Sequence, residues 1–175
     1  MNAPLLSICI ATFKRAAFIG QTLESIVGQV DDRVEIIVLD GASPDDTRDV
    51  VAGYAARCPM LRYRREETNS GVDADYDKAV QFARGRYCWL MTDDDLLVPG
   101  AVDRILAALA QGPALLVLNA EVRTIDLGQV LQPRLLDVAC DIQFAAGDSA
   151  AVFTGLASHL KFIGAVVIRR DVWLE

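Results

Sequence analysis

Three short apolar runs, Leu5–Ala11, Val34–Leu39 and Tyr87–Met91, constrain this 175-residue chain more than any other feature. Each is rich in branched or aromatic residues, almost free of polar alternation, and short enough for a strand buried on both faces. Between them lie stretches with helical spacing, such as Phe18, Leu23, Ile26 and Val27 after the first run. The pattern predicts strands near 5–11, 34–40, 61–65, 86–92, 114–120 and 162–168, and helices near 16–29, 45–57, 72–84, 99–111 and 148–160. Strand and helix alternate through the first five strands, which calls for a three-layer α/β/α arrangement on a mostly parallel sheet with right-handed crossovers. Residues 123–147 are less regular; Gly128-Gln129 and Gln132-Pro133 read as turns between short segments, either a hairpin or an excursion over the acceptor side. The chain has the size of one compact domain.

Ligands of such sheets bind beyond the carboxyl ends of the strands. Thr12, Asp40 and Asp93 stand at three such ends. Asp93-Asp94-Asp95 place three carboxylates together, which repel unless a cation lies among them, and hard divalent ions prefer carboxylate oxygen. The competing reading is a helix start, since acids favour a helix N-terminus and Pro99 suits a first turn. Asp40 precedes Ser43-Pro44-Asp45-Asp46, where Ser43 reads as the N-cap and Pro44 as the first helical residue. Helix initiation then leaves Asp40 unexplained, and its replacement should leave folding intact; the alternative is a turn aspartate bonded to nearby backbone.

A net charge of −7 argues against a nucleic-acid surface, and 53% hydrophobic residues argue against disorder. No stretch approaches the roughly 20 apolar residues of a membrane span, and the start lacks the pattern of a secretory signal. Cys9, Cys58, Cys88 and Cys140 show no paired spacing and read as reduced thiols of a cytoplasmic protein. His159, the sole histidine, reads as structural.

Four segments fall in a recognisable order: Ser7-Ile8-Cys9-Ile10-Ala11-Thr12-Phe13-Lys14-Arg15, Glu35 through Thr47, Asn69-Ser70-Gly71 through Ala83-Arg84-Gly85-Arg86-Tyr87, and the aspartate cluster. Together they resemble the family 2 glycosyltransferases, closely over residues 5 to about 105 and loosely beyond. The resemblance implies the A-type glycosyltransferase (nucleotide-diphospho-sugar transferase) fold and one catalytic domain over 1–175. Its donor-binding part would be 1–105, with a partial acceptor side in 106–175. It implies an inverting, metal-dependent transfer from a nucleotide-diphosphate sugar to an acceptor hydroxyl, with Mn²⁺ or Mg²⁺ at Asp93, Asp94 and Asp95. Asp93 would also touch the ribose, and Asp40 would read the nucleobase within a pocket formed with Ala11, Thr12 and Phe13. Arg15 would balance the diphosphate, and Asp73 would join the nucleotide set. Phe13 alternatively packs in the core, and Asp73 and Asp77 alternatively decorate a solvated helix face.

Two departures qualify the mapping. The family's Asp-x-Asp-Asp reads Thr92-Asp93-Asp94-Asp95, so threonine replaces the first acid. The Arg-Asn pair that many relatives carry on the helix after Asn-x-Gly reads Tyr76-Asp77; instead, Gly71-Val72-Asp73 with Tyr87-Cys88-Trp89-Leu90 resembles the abequosyltransferase-like branch of O-antigen enzymes. The family's catalytic carboxylate falls after a strand matching Phe162–Ile168, so the base is expected beyond Glu175 in a C-terminally truncated chain, with Asp171 and Glu175 as in-chain candidates. The partners implied are the nucleotide sugar and a sugar or lipid-linked saccharide acceptor, with peripheral attachment at the inner membrane face. Apolar surface around 150–175 would favour self-association into a homo-oligomer. Two other readings stand: a nucleotide-sugar-binding fragment without turnover, and a sugar-phosphate nucleotidyltransferase. The latter class begins with a Gly-rich loop, and Ala11-Thr12-Phe13-Lys14-Arg15 has no glycine; a dinucleotide oxidoreductase is excluded by the lack of GxGxxG after the first strand.

Overall fold

The first two predicted strands are buried along their whole length. In the computed structural model, which describes residues 3–160 and 162–175, all seven residues of β1 (Leu6–Thr12) and of β2 (Val34–Asp40) are buried. That is why they read as unbroken apolar runs. β3 (Leu61–Arg65) lies outside β2, and β4 (Tyr87–Met91) flanks β1 on the other side; these four strands are parallel.

Side chains alternate across the sheet. Ile8, Ile10, Ile36, Val38, Trp89 and Met91 face α1 (Ile19–Val27), α2 (Thr47–Ala55) and α4 (Ala101–Leu109). Cys9, Ile37, Leu39, Cys88 and Leu90 face α3 (Val72–Phe82). Helices thus cover both faces, the layering that the alternating pattern calls for.

β5 (Leu115–Val117) is only a remnant of the strand expected at 114–120. β6 (Val122–Arg123) and β7 (Val130–Gln132) form a hairpin, one of the two readings of this irregular stretch. α5 (Ser149–Leu160) leads through a 3₁₀ turn at Ile163–Ala165 to β8 (Val166–Arg169) and α6 (Arg170–Trp173). The strand predicted at 162–168 therefore begins four residues late, and it runs antiparallel between β4 and β5 in the order β3-β2-β1-β4-β8-β5. Strand 5 consequently does not adjoin strand 4; β8 intervenes.

Helix ends also differ from expectation. α2 begins at Thr47, with Asp46 rather than Ser43 at its cap position. Ser43 is drawn elsewhere: its hydroxyl accepts the Lys14 N–H at 2.9 Å. α4 begins at Ala101 after Gly100, whose φ of 78° places it in the left-handed region, so Pro99 precedes the helix.

The Ala-x-Gly-x-Tyr segment has a packing explanation. A Cβ on Gly85 would lie 2.5 Å from Ser7 Oγ and 2.7 Å from Ser7 N. This close approach lets Ser7 Oγ accept the Gly85 N–H and donate to the buried Glu35 carboxylate at 2.7 Å. Glu35 also receives the Arg84 N–H at 2.6 Å, together with Arg84 and Arg62 guanidinium groups. Burial works against the charge, but these donors hold the Glu35 carboxyl below its ordinary range. The network knots the starts of β1, β2 and β4, at the edge opposite the aspartates.

Candidate active site

Pairing register brings the strand-end residues together. Thr12 lies opposite Asp40, and Ile10 lies opposite Met91. Two residues beyond Met91, Asp93 emerges alongside Thr12. The helix-start reading of the acids fails on position, because α4 begins six residues after Asp95 and the acid in its first turn is Asp103.

Asp93 is 7% exposed. Burial pushes its carboxyl above the ordinary range and Asp94 adds to the rise, while the Thr12 hydroxyl and the Arg15 guanidinium oppose it. Arg15 Nε stands 3.4 Å from Asp93 Oδ1, and Nη2 stands 3.7 Å from Asp94 Oδ2. Thr12 Oγ1 lies near Asp93 but is buried without a hydrogen bond of good geometry. An orphaned hydroxyl is costly unless something binds to it.

Asp95 behaves differently from its neighbours. Its Oδ2 accepts the Thr92 hydroxyl at 2.5 Å, and burial raises its carboxyl also. The same oxygen would be 2.7 Å from a Cβ on Gly164, the residue whose carbonyl accepts Trp89 Nε1–H at 2.8 Å. The threonine in the first-acid position therefore holds Asp95, and a glycine from the turn before β8 makes room for it.

Among the described residues no three histidine, cysteine or acidic side chains converge into a ready metal cage. That departs from the expectation of three converging metal carboxylates at Asp93, Asp94 and Asp95. A nucleotide-site Mg²⁺ needs less, being held through one or two carboxylates plus phosphates and waters. Asp93 and Asp94, with the unsatisfied Thr12 hydroxyl, fit a hard divalent cation bound together with phosphate.

Asp40 is fully buried. Its Oδ1 accepts the Ser43 N–H at 2.8 Å, its Oδ2 accepts the Tyr63 hydroxyl at 2.5 Å, and Arg65 Nε lies 3.8 Å away. Asp40 thus makes the turn-aspartate bond to nearby backbone and also ties β2 to β3 through Tyr63. Each oxygen retains a further lone pair. Burial and the Asp40 charge raise the Tyr63 phenol well above its ordinary pKa.

Phe13 is 38% exposed, with Lys14 Nζ 5.0 Å over its ring, so it does not pack in the core. Ala11 is buried against the α3 face, with 7% of its surface exposed. Asp73 is exposed on the first turn of α3, and Asp77 accepts Trp173 Nε1–H at 2.9 Å. The acid that α3 turns inward is Asp75, 2% exposed, whose Oδ1 accepts the Ser70 hydroxyl at 2.8 Å. Its Oδ2 would lie 2.6 Å from a Gly41 Cβ, immediately after Asp40. Asp75, Tyr63, Arg65 and Gly164 were not singled out from sequence. Asp73, Asp75 and Asp77 alternate identically in the chain, and only the phase of α3 against the sheet separates them.

The in-chain base candidates lie apart from this constellation. β8 pairs Arg169 with Tyr87, the first residue of β4, so Asp171 follows at the opposite sheet edge, roughly 20 Å of strand from Asp93. Its Oδ1 accepts Arg169 Nε–H at 2.6 Å and the Val172 N–H at 2.9 Å, which hold the carboxyl below its ordinary range. Glu175 is exposed just after α6. His159, 4% exposed, is bonded through Nε2 to the Leu118 carbonyl at 2.9 Å, a structural tie. All four cysteines are free. Among the described residues, no helix is long and apolar enough to cross a membrane.

Known proteins match this arrangement. The chain is 34% identical over 97 residues to the abequosyltransferase RfbV of Salmonella typhimurium, covering 53% of this chain and 29% of that protein. Its fold matches S. aureus TarS 1–349 in complex with UDP-GlcNAc at a TM-score of 0.70 and 17% identity, covering 97% of this chain and 46% of that one. It also matches the mannosyltransferase PcManGT from Pyrobaculum calidifontis, in complex with GDP-Man and Mn²⁺, at a TM-score of 0.60 and 23% identity, covering 71% of this chain and 37% of that one. The chain spans 38% or less of the length of the curated relatives it matches. The family profile "Glycosyl transferase family 2" matches residues 7–153, which include the strand ends at Thr12, Asp40 and Asp93, and the chain belongs to that family.

Proposed function

We propose that this chain binds a nucleotide-diphosphate sugar and a divalent cation, Mn²⁺ or Mg²⁺, as the donor side of an inverting glycosyltransferase. The observation that carries this reading is the buried, unpartnered Thr12 hydroxyl between Asp40 and Asp93 at the shared carboxyl edge. The nucleobase would lie against exposed Phe13 and donate to Asp40, whose two oxygens keep free lone pairs. The ribose and diphosphate would run across Thr12 toward Asp93, Asp94 and Arg15. A cation held there would supply Lewis-acid stabilisation of the leaving diphosphate. In the transfer, the acceptor oxygen bonds to the anomeric carbon as the bond to the diphosphate oxygen breaks, and a carboxylate takes the acceptor proton. Asp171 and Glu175 lie apart from the aspartates, so neither is assigned that role. A sugar or lipid-linked saccharide is the acceptor, in surface polysaccharide synthesis, with peripheral attachment at the inner membrane face. The binding of UDP-GlcNAc by TarS and of GDP-Man with Mn²⁺ by PcManGT supports the donor class.

Calorimetry with uridine, guanosine, cytidine and thymidine diphosphates in Mn²⁺ tests the reading. At least one should bind, and EDTA should weaken that binding at least 10-fold, because the carboxylates then face the diphosphate unneutralised. Equal affinity in Mn²⁺ and EDTA would remove the metal from the site.

A further inference from the structure

Among the described residues, Arg15 supplies the only ion pairs to the aspartate cluster. Separations of 3.4 Å to Asp93 and 3.7 Å to Asp94 are too long for the paired hydrogen bonds of a locked arginine–carboxylate fork. The guanidinium is loosely held between two carboxylates, with the Phe18 ring 5.6 Å from its centre.

Its backbone is not loose. The N–H groups of Lys14, Arg15 and Ala16 donate in succession to Ser43 Oγ, Thr47 Oγ1 and Asp45 Oδ2, at 2.9, 3.1 and 3.2 Å. Lys14 adopts a φ of 59° to make this turn. Ser43 and Asp45 of the loop between β2 and α2, with Thr47 at the start of α2, therefore fix the root of Arg15, while its side chain stays 43% exposed. A fixed root with a mobile cationic tip is suited to exchange one anion for another.

We infer that Arg15 is a built-in counter-ion, which competes with a divalent cation for Asp93 and Asp94 in the free protein and turns to the diphosphate when metal and nucleotide bind together. The inference deepens the donor-site reading and rests on it. A guanidinium and a metal ion cannot share the same carboxylate oxygens, and at such separations their like charges repel. The diphosphate reverses the balance, since it offers Arg15 several acceptor oxygens in a geometry that guanidinium recognises. Arg15 thus opposes binding of the bare cation and favours binding of the cation with nucleotide. A residue that merely braced the loop would shift both in the same direction.

The experiment uses the whole 175-residue chain as wild type, Arg15→Gln and Arg15→Lys. Mn²⁺ alone is titrated by electron paramagnetic resonance. The nucleoside diphosphate that wild type binds best is then titrated calorimetrically in saturating Mn²⁺. Arg15→Gln is expected to bind bare Mn²⁺ about 3–10-fold tighter, having lost a competing charge. It is expected to bind the nucleotide about 10-fold more weakly, having lost a charge-assisted contact. Arg15→Lys keeps the charge but loses the planar fork, so it should bind bare Mn²⁺ about as wild type does and bind the nucleotide with an affinity between those of Arg15→Gln and wild type. Equal or weaker Mn²⁺ affinity in Arg15→Gln overturns the competition, and unchanged nucleotide affinity overturns the turn toward diphosphate. A wild type that binds Mn²⁺ but none of the four nucleoside diphosphates overturns the donor-site reading itself, and the two failures are thereby distinguished.

Discussion

Asp40 has a visible structural task beside the ligand-binding one proposed for it. It holds the Ser43 amide and the Tyr63 hydroxyl while keeping lone pairs at the strand end. Asp40→Asn can still accept from Ser43, but its amide group disturbs the bond from Tyr63. A loss of roughly 1–3 kcal/mol in folding stability is expected, seen as a melting temperature lower by several degrees, together with weaker nucleotide binding. An unchanged melting temperature would return Asp40 to a purely ligand-facing role. Gly164 is the second residue with a sharp consequence. In Gly164→Ala the new Cβ meets Asp95 Oδ2 at 2.7 Å, so the Thr92–Asp95 hydrogen bond must open or the turn must shift. Overpacking of this kind costs roughly 1–3 kcal/mol. The variant should melt lower and alter Mn²⁺ affinity, whereas a variant identical to wild type in both would mean that Asp95 moves aside freely.

At the scale of elements, the edge opposite the site is secured by Glu35 on β2 and its donors from β1, β3 and the turn after α3. Glu35→Gln removes a buried charge that Ser7, Arg84 and Arg62 are arranged to receive, and a loss of roughly 1–3 kcal/mol is expected. The pH dependence has a definite sign. Because the folded carboxyl lies below its ordinary range, its contribution is fully present above the unfolded pKa of about 4.3 and fades as pH falls through the lower folded value. Chemical denaturation of wild type and Glu35→Gln from pH 7 to pH 3 should therefore give a stability difference that shrinks in acid; a constant difference would mean the network does not depend on the charge. The late, antiparallel β8 also sets where two flanking residues fall. It carries Gly164 to the site edge and Asp171 to the far edge in one short segment.

For the whole molecule, the two ends of the sheet have separate duties. The carboxyl edge gathers Thr12, Asp40, Asp75 and Asp93, while the amino edge gathers Ser7, Glu35, Gly85 and Asp171. Asp171→Ala should consequently leave nucleotide affinity and any donor hydrolysis within about 2-fold of wild type, as expected for a surface substitution away from the site. A 100-fold loss of hydrolysis without loss of stability would bring Asp171 into the chemistry.

The sequence alone determined the layering, because strands buried on both faces must read as unbroken apolar runs and the helices that bury them must show one apolar stripe. It also placed Thr12, Asp40 and Asp93 at strand ends, since in a parallel sheet every strand ends at the same edge. It could not give the direction of the last strand: Val166–Arg169 is apolar whichever way it runs, and only its pairing with β4 and β5 makes it antiparallel. Nor could it separate Asp75 from Asp73 and Asp77, because the choice depends on which side of α3 meets the sheet. The cap at Ser43 was locally plausible, but the Lys14 amide took that hydroxyl for a contact 29 residues away in sequence. Local chemistry fixed where acids, turns and strands could be, and tertiary packing decided which of them meet, because distance along the chain says little about distance across a sheet.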